Sequence, residues 1–161
     1  ARVSQAVAAL EAVSTERFAE TVRNMGVAAL ERVAQLYLES RGYSNIRWVK
    51  RAGKSGYGTA EGPNGSVLIG ARVGPEAVDR RGIGELRVGV EAKGTTSGLL
   101  LAPTELSEEA SEEWTRGGSP VAIECGASFI DSLMQAGIGV RWRMAPVPLL
   151  DDEFFEAIQQ G

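Results

Sequence analysis

Apolar residues recur every three or four positions through the first forty residues. Leu30, Val33, Ala34, Tyr37 and Leu38 follow an i, i+3, i+4, i+7, i+8 stripe, and Gly42 supplies a C-terminal stop. Upstream, Phe18, Val22, Met25 and Ala29 make a similar stripe, with Gly26 as a break between two helices. Val3, Val7 and Leu10 form a thinner, alanine-rich face, expected to pack on the chain's own domain. After Tyr43 the pattern becomes that of strands: Ile46 to Lys50, Tyr57 to Ala60, and Ser66 to Val73. Gly53, Gly56, Gly62, Pro63, Asn64 and Gly65 separate them. Pro-Asn-Gly between apolar runs is a turn, because Asn and Gly tolerate positive φ.

The second half alternates. Ile83, Leu86 and Val90 sit at helical spacing, and Leu99-Leu100-Leu101 is a short apolar strand. Ser107 caps the next helix, with Glu108 and Glu109 in its first turn, where the helix dipole favours negative charge. Val121-Ala122-Ile123 is another buried strand, followed by a helix on Phe129, Ile130, Leu133 and Met134 that ends at Gly137. This alternation predicts parallel strands with helices packed on the sheet. Val140 to Leu150 reads as extended, and Phe154, Phe155 and Ile158 mark a small terminal helix.

A chain of 161 residues is the size of one ordinary domain. No stretch approaches the ~18 consecutive apolar residues of a membrane span. No secretory pattern opens the chain, since Arg2, Gln5 and Glu11 interrupt its apolar residues. It begins at Ala1, which suggests a piece of a longer protein. The single cysteine, Cys125, excludes an internal disulfide and fits a reducing, cytoplasmic location. Its apolar surroundings read as those of a buried structural thiol. The absence of histidine excludes Ser-His-Asp and Cys-His catalysis and histidine-bearing zinc sites.

A net charge of −4 argues against non-specific nucleic-acid binding, yet the charge is unevenly placed. Arg41, Arg47, Lys50, Arg51 and Lys54 form a basic stretch with no acid between Arg41 and Glu61. Acids gather at Glu105 to Glu113 and again at Asp151 to Glu156.

Several words of sequence resemble the Mrr-type restriction endonucleases. Leu30-Glu31-Arg32-Val33 followed by Arg41-Gly42-Tyr43 is similar to the family's first helix and "GY" turn. Gly84-Glu85-Leu86-Arg87 and Gly98-Leu99-Leu100-Leu101 resemble its later helix and strand, and Leu106 to Ala110 its "F-[ST]-x-x-A" helix start. Val121 to Gly126 resembles its "I-x-L-I-D-G" strand. The likeness runs from about Leu30 to Phe155. It implies an α/β restriction-endonuclease-like fold with a central mixed sheet flanked by helices. Residues 1–27 would be an N-terminal helical extension and 28–161 the domain proper.

The family is implied to cut DNA with Mg²⁺ through D-x-G-x-D followed by [QE]-x-K. Carboxylates hold the hard cation that activates water, and lysine stabilises the developing charge. Carried over by position, the first element falls on Gly56-Tyr57-Gly58-Thr59-Ala60 and the second on Gly70-Ala71-Arg72. Gly56, Ala60 and Gly70 lack the ligating groups, and Arg72 keeps only a cation. Glu31 matches an acid of the family's first helix and is retained. Glu61 does not replace Ala60, because a one-residue shift turns a strand side chain to the other face. Glu91-Ala92-Lys93 spells E-x-K, but on a helix residues two apart do not face the same way. The Gly53 to Gly65 run lacks the order of a phosphate-binding P-loop and reads as turns.

The resemblance therefore implies a catalytically inactive nuclease fold acting as a binding module for the nucleic-acid backbone, with no cofactor. Arg47, Lys50, Arg51, Lys54 and Arg72 are the candidate DNA contacts, because arginine and lysine meet phosphate. Trp48 and Tyr57 are read as core residues rather than stacking platforms. Two alternatives stand beside it. One is an assembly scaffold that binds a protein partner, or a second copy, through the N-terminal helices. The other is an active Mg²⁺-dependent endonuclease with a relocated site.

Overall fold

The computed structural model describes residues 2–161. Helices α1 (Arg2–Arg23) and α2 (Val27–Ser40) open the chain. Three strands follow: β1 (Ser44–Ala52), β2 (Ser55–Gly62) and β3 (Gly65–Arg72). Then come α3 (Arg80–Lys93), β4 (Ser97–Ala102), α4 (Glu108–Thr115), β5 (Val121–Cys125), α5 (Ala127–Gln135) and α6 (Asp152–Gln159). Gly26 separates the first two helices as expected. Gly42, at φ 87°, ends α2 in a conformation that costs glycine least. Asp79 caps α3 by accepting the Gly82 N–H at 3.0 Å, and Ser107 caps α4 by accepting the Ala110 N–H at 3.1 Å.

The strands form one mixed sheet in sequence order. β1, β2 and β3 are an antiparallel meander, and β3, β4 and β5 are parallel through helical crossovers. The parallel half is apolar on both faces because helices cover both. Val67, Ile69 and Ala71 of β3, with Leu99 and Leu101 of β4, pack under α2 and α5. Leu68, Leu100 and Ala102 pack on the opposite side against Ile83, Leu86 and Val90 of α3. Trp48 and Tyr57 both join these cores. Cys125 is buried, and that burial pushes its thiol up to about 12.

The edge strand β1 pairs with β2 irregularly, with register shifts between Ser44 and Arg47 and between Trp48 and Lys50. The second shift inserts Val49, so Lys50 stands opposite Tyr57 and Arg51 opposite Gly56.

Two expectations fail at the ends of the chain. The Val3/Val7/Leu10 face of α1 stays exposed instead of packing on the domain; only the last turns of α1 reach the core, through Val22, Phe18 and Ala19. That early face is mostly alanine and offers little area to bury. Residues 140–150 form no strand, and every residue from Arg141 onward is exposed. The segment expected to be extended docks on neither rim of the sheet, β1 or β5.

Candidate functional site

Glu31 sits in the apolar stripe of α2 and is buried, a costly place for a carboxylate without a partner. Arg51 supplies that partner from β1. Its Nε donates to Glu31 Oε1 at 3.1 Å and its Nη2 to Oε2 at 2.9 Å, a two-pronged pairing. The Arg51 side chain is 57% exposed and that of Glu31 only 8%, so the arginine reaches in from solvent. Gly56, opposite Arg51 in the ladder, lies under this pair. A Cβ at position 56 would run into Glu31 Oε1 and stand 3.0 Å from its Cδ and Cγ. Because Arg51 pins that carboxylate, the site has no room for a side chain at Gly56.

The register decides which motif positions meet. Gly56, Gly58 and Ala60 pair with Ala71, Ile69 and Val67, and Ile69, Ala71 and Ala60 all lie in the core beneath α2. Ser55 and Tyr57 pair with Arg72 and Gly70, on the side of α3. Glu31, Arg51 and Gly56 are thus together on one face, while Gly70 and Arg72 lie on the other. The two motif elements, as placed from sequence, do not converge on one point. Ala60 is buried and Glu61 exposed, where Glu61 accepts from Asn45 Nδ2 at 3.0 Å.

On the α3 side a second polar cluster surrounds Gly70. Arg72 Nη1 donates to Ser55 Oγ at 3.4 Å, and its Nη2 is 3.6 Å from Asp79 Oδ2. Tyr57 Oη donates to Glu85 Oε2 at 2.9 Å, and Arg81 Nε donates to Glu85 Oε1 at 2.6 Å. Burial, then the bond to Glu85, pushes the Tyr57 phenol up to about 12. The Arg81 bond, then the Tyr57 bond, holds Glu85 below the ordinary carboxylate value. Sequence reasoning missed Glu85 and Arg81 as partners of the motif strands, although their i, i+4 spacing signalled an ion pair. It named Arg51 a candidate DNA contact without its partner; the signal for that partner was Glu31, an acid embedded in an apolar stripe.

The five candidate DNA contacts divide accordingly. Arg51 is held by Glu31, Lys54 by Glu76, and Arg72 by Asp79. Arg47 and Lys50 are exposed and have no salt-bridge partner among the described residues. Lys50 Nζ lies 5.9 Å from the centroid of the Tyr57 ring, on the α3 side. Glu91 of the literal E-x-K accepts from Ser119 Oγ at 2.8 Å at the end of α3. Among the described residues no three His, Cys, Asp or Glu side chains gather closely enough to hold a metal ion. No described helix is long and apolar enough to cross a membrane.

Two solved structures share this arrangement of strands and helices. The DNA modification-dependent restriction endonuclease AspBHI superposes with a TM-score of 0.53 at 18% identity, covering 78% of this chain and 36% of its own. MspJI restriction endonuclease, solved in complex with a 27-mer oligonucleotide, gives 0.55 at 16%, covering 80% of this chain and 32% of its own. The chain spans about a third of the length of each. No curated protein sequence matches it. The restriction endonuclease family model Mrr_cat matches residues 22–133, from the buried end of α1 into α5. With that match over more than half its length, the chain belongs to the Mrr_cat restriction endonuclease family.

Proposed function

We propose that this domain is a nuclease fold that no longer cuts and instead holds the DNA backbone. One observation carries the loss of catalysis: three carboxylates around the motif strands are each taken by an arginine, Glu31 by Arg51, Glu85 by Arg81 and Asp79 by Arg72. A divalent cation would have to displace a guanidinium at every one of them. The face argument also favours moving the first element by one residue, so that Tyr57 rather than Gly56 takes the first carboxylate position opposite Gly70. Glu61 would then match the second, but it is exposed and bonded to Asn45, and Tyr57 offers no carboxylate at the first. Neither placement assembles a ligand set.

DNA binding is supported by the family, by the oligonucleotide bound to MspJI, and by the exposed Arg47 and Lys50 on the edge strand. Arg51, Lys54 and Arg72 strengthen the local field but are already partly neutralised, so contact with phosphate falls chiefly on the first two. The test is a metal-free fluorescence-anisotropy titration of labelled duplex and single-stranded DNA at two salt concentrations. Binding that weakens with salt by a slope of about two phosphates, and is further weakened by Arg47→Glu with Lys50→Glu, is the expected result. Absence of binding at low salt overturns it. Supercoiled plasmid stays intact with Mg²⁺ or Mn²⁺; nicking lost in Glu31→Ala, Glu85→Ala or Glu91→Ala would instead establish an active enzyme.

A second reading has its own support. The exposed Val3, Val7, Leu10 and Val13 of α1 form a thin, unpartnered apolar stripe that a partner chain could cover.

A further inference from the structure

Between the β1–β2 hairpin and α3 runs an open groove of about 920 Å³. Its floor is apolar and shallow because small residues line it: Gly58 and Thr59 from the hairpin, Gly84, Gly89 and Ala92 from α3. Val49 and Val88 stand exposed on its two walls; Glu85 and Glu113 in its lining pair with Arg81 and Arg80, while Lys50 and Lys93 have no salt-bridge partner among the described residues. Val49 lies where the inserted bulge residue of β1 falls, so the irregular ladder helps shape this wall.

The same chain carries a segment that fits. Helix α6 has Phe154, Phe155 and Ile158 within about 100° of one another on its surface, and Asp152, Glu153 and Glu156 on the far side. All three apolar side chains are exposed, as are Leu149 and Leu150 just before the helix. An amphipathic helix with no partner matches an apolar groove in shape, and the helix's net negative charge is opposite in sign to the unpaired Lys50 and Lys93 of the groove. The eleven residues 141–151 can span roughly 35 Å, enough to reach a neighbouring molecule.

We infer that α6 of one copy docks in the β1–β2/α3 groove of a second copy, and that the exchange is reciprocal. Reciprocity follows from two-fold symmetry, since each molecule owns one groove and one helix. With about half of each surface accessible, the three side chains leave ~100 Å² each to cover. Counting helix and groove in both contacts gives on the order of 1,000 Å², near the lower bound for a specific interface. The dimer should therefore dissociate on dilution.

Sedimentation analysis of the full chain over a dilution series tests this. A concentration-dependent dimer is expected, reduced to monomer by Phe155→Asp in the helix and, separately, by Val88→Asp in the groove. An equimolar mixture of the two variants should regain a weaker dimer, seen at the highest concentrations, because one of the two groove–helix contacts is then intact. That recovery also shows that both variants are folded. A wild-type monomer at all concentrations overturns the inference. So does a dimer that survives both substitutions and disappears only when residues 1–13 are removed, which would belong to α1.

Discussion

Arg51 and Glu31 show how one contact changes the meaning of two residues. Read as a string, Arg51 is one of a basic run; in space it neutralises a carboxylate that α2 has taken out of water. Arg51→Ala leaves that carboxylate buried and unpaired, at a cost of about 1–3 kcal/mol. Arg51→Ala with Glu31→Leu, which removes the charge as well, should recover much of the loss; chemical denaturation of the three variants measures this. Equal destabilisation in the single and double variants would show that the pair contributes nothing beyond packing. Tyr57 and Tyr37 give a pH prediction. Burial raises both phenols to about 12, with bonds to Glu85 and Glu124 adding to the effect. The folded state then keeps protons that the unfolded chain loses near the ordinary value of 10. Stability is full below that value and falls as pH rises from 10 towards 12. Thermal melts across that window should decline less steeply for Tyr57→Phe than for the parent chain.

At the scale of elements, most of the fold was legible. The stripes of α2, α3 and α5 and the runs of β3, β4 and β5 all combine a clear period with the right stop residues. What stayed hidden was pairing. Nothing in the letters reveals that β1 carries two irregularities, or that the two motif elements fall on opposite faces of the β2–β3 ladder. Register is a property of two strands at once, so a reading of one strand at a time misses it. The failure at α1 has a different cause. A helical period gives a helix, but whether the helix packs depends on how much apolar area it offers, and Val3, Val7 and Leu10 among alanines offer little. The consequence is measurable: removing residues 1–13 should leave the melting temperature almost unchanged. Removing residues 1–23 strips Val22 and Phe18 from the core and should cost at least the ~2–5 kcal/mol of a large core truncation.

For the molecule as a whole, charge is the deciding property. An acidic chain approaching DNA is repelled at long range, while the Arg47–Lys50 edge favours contact. Association should therefore be slow at very low salt, and the equilibrium should change with salt by a slope of about two phosphates rather than six or more. A slope far above that would mean that Arg51, Lys54 or Arg72 exchanges its carboxylate for phosphate on binding.

The irregular outer strand has one more effect, on the fate of the protein in a crowded solution. A straight strand at the rim of a sheet invites another chain to continue the hydrogen-bond ladder. Here two bulges bend the rim, and Arg47, Lys50 and Arg51 stud it with like charge. These residues act as gatekeepers against runaway fibrous growth whatever else they touch. Selection for solubility alone would retain them, so their persistence among relatives would be poor proof of nucleic-acid contact.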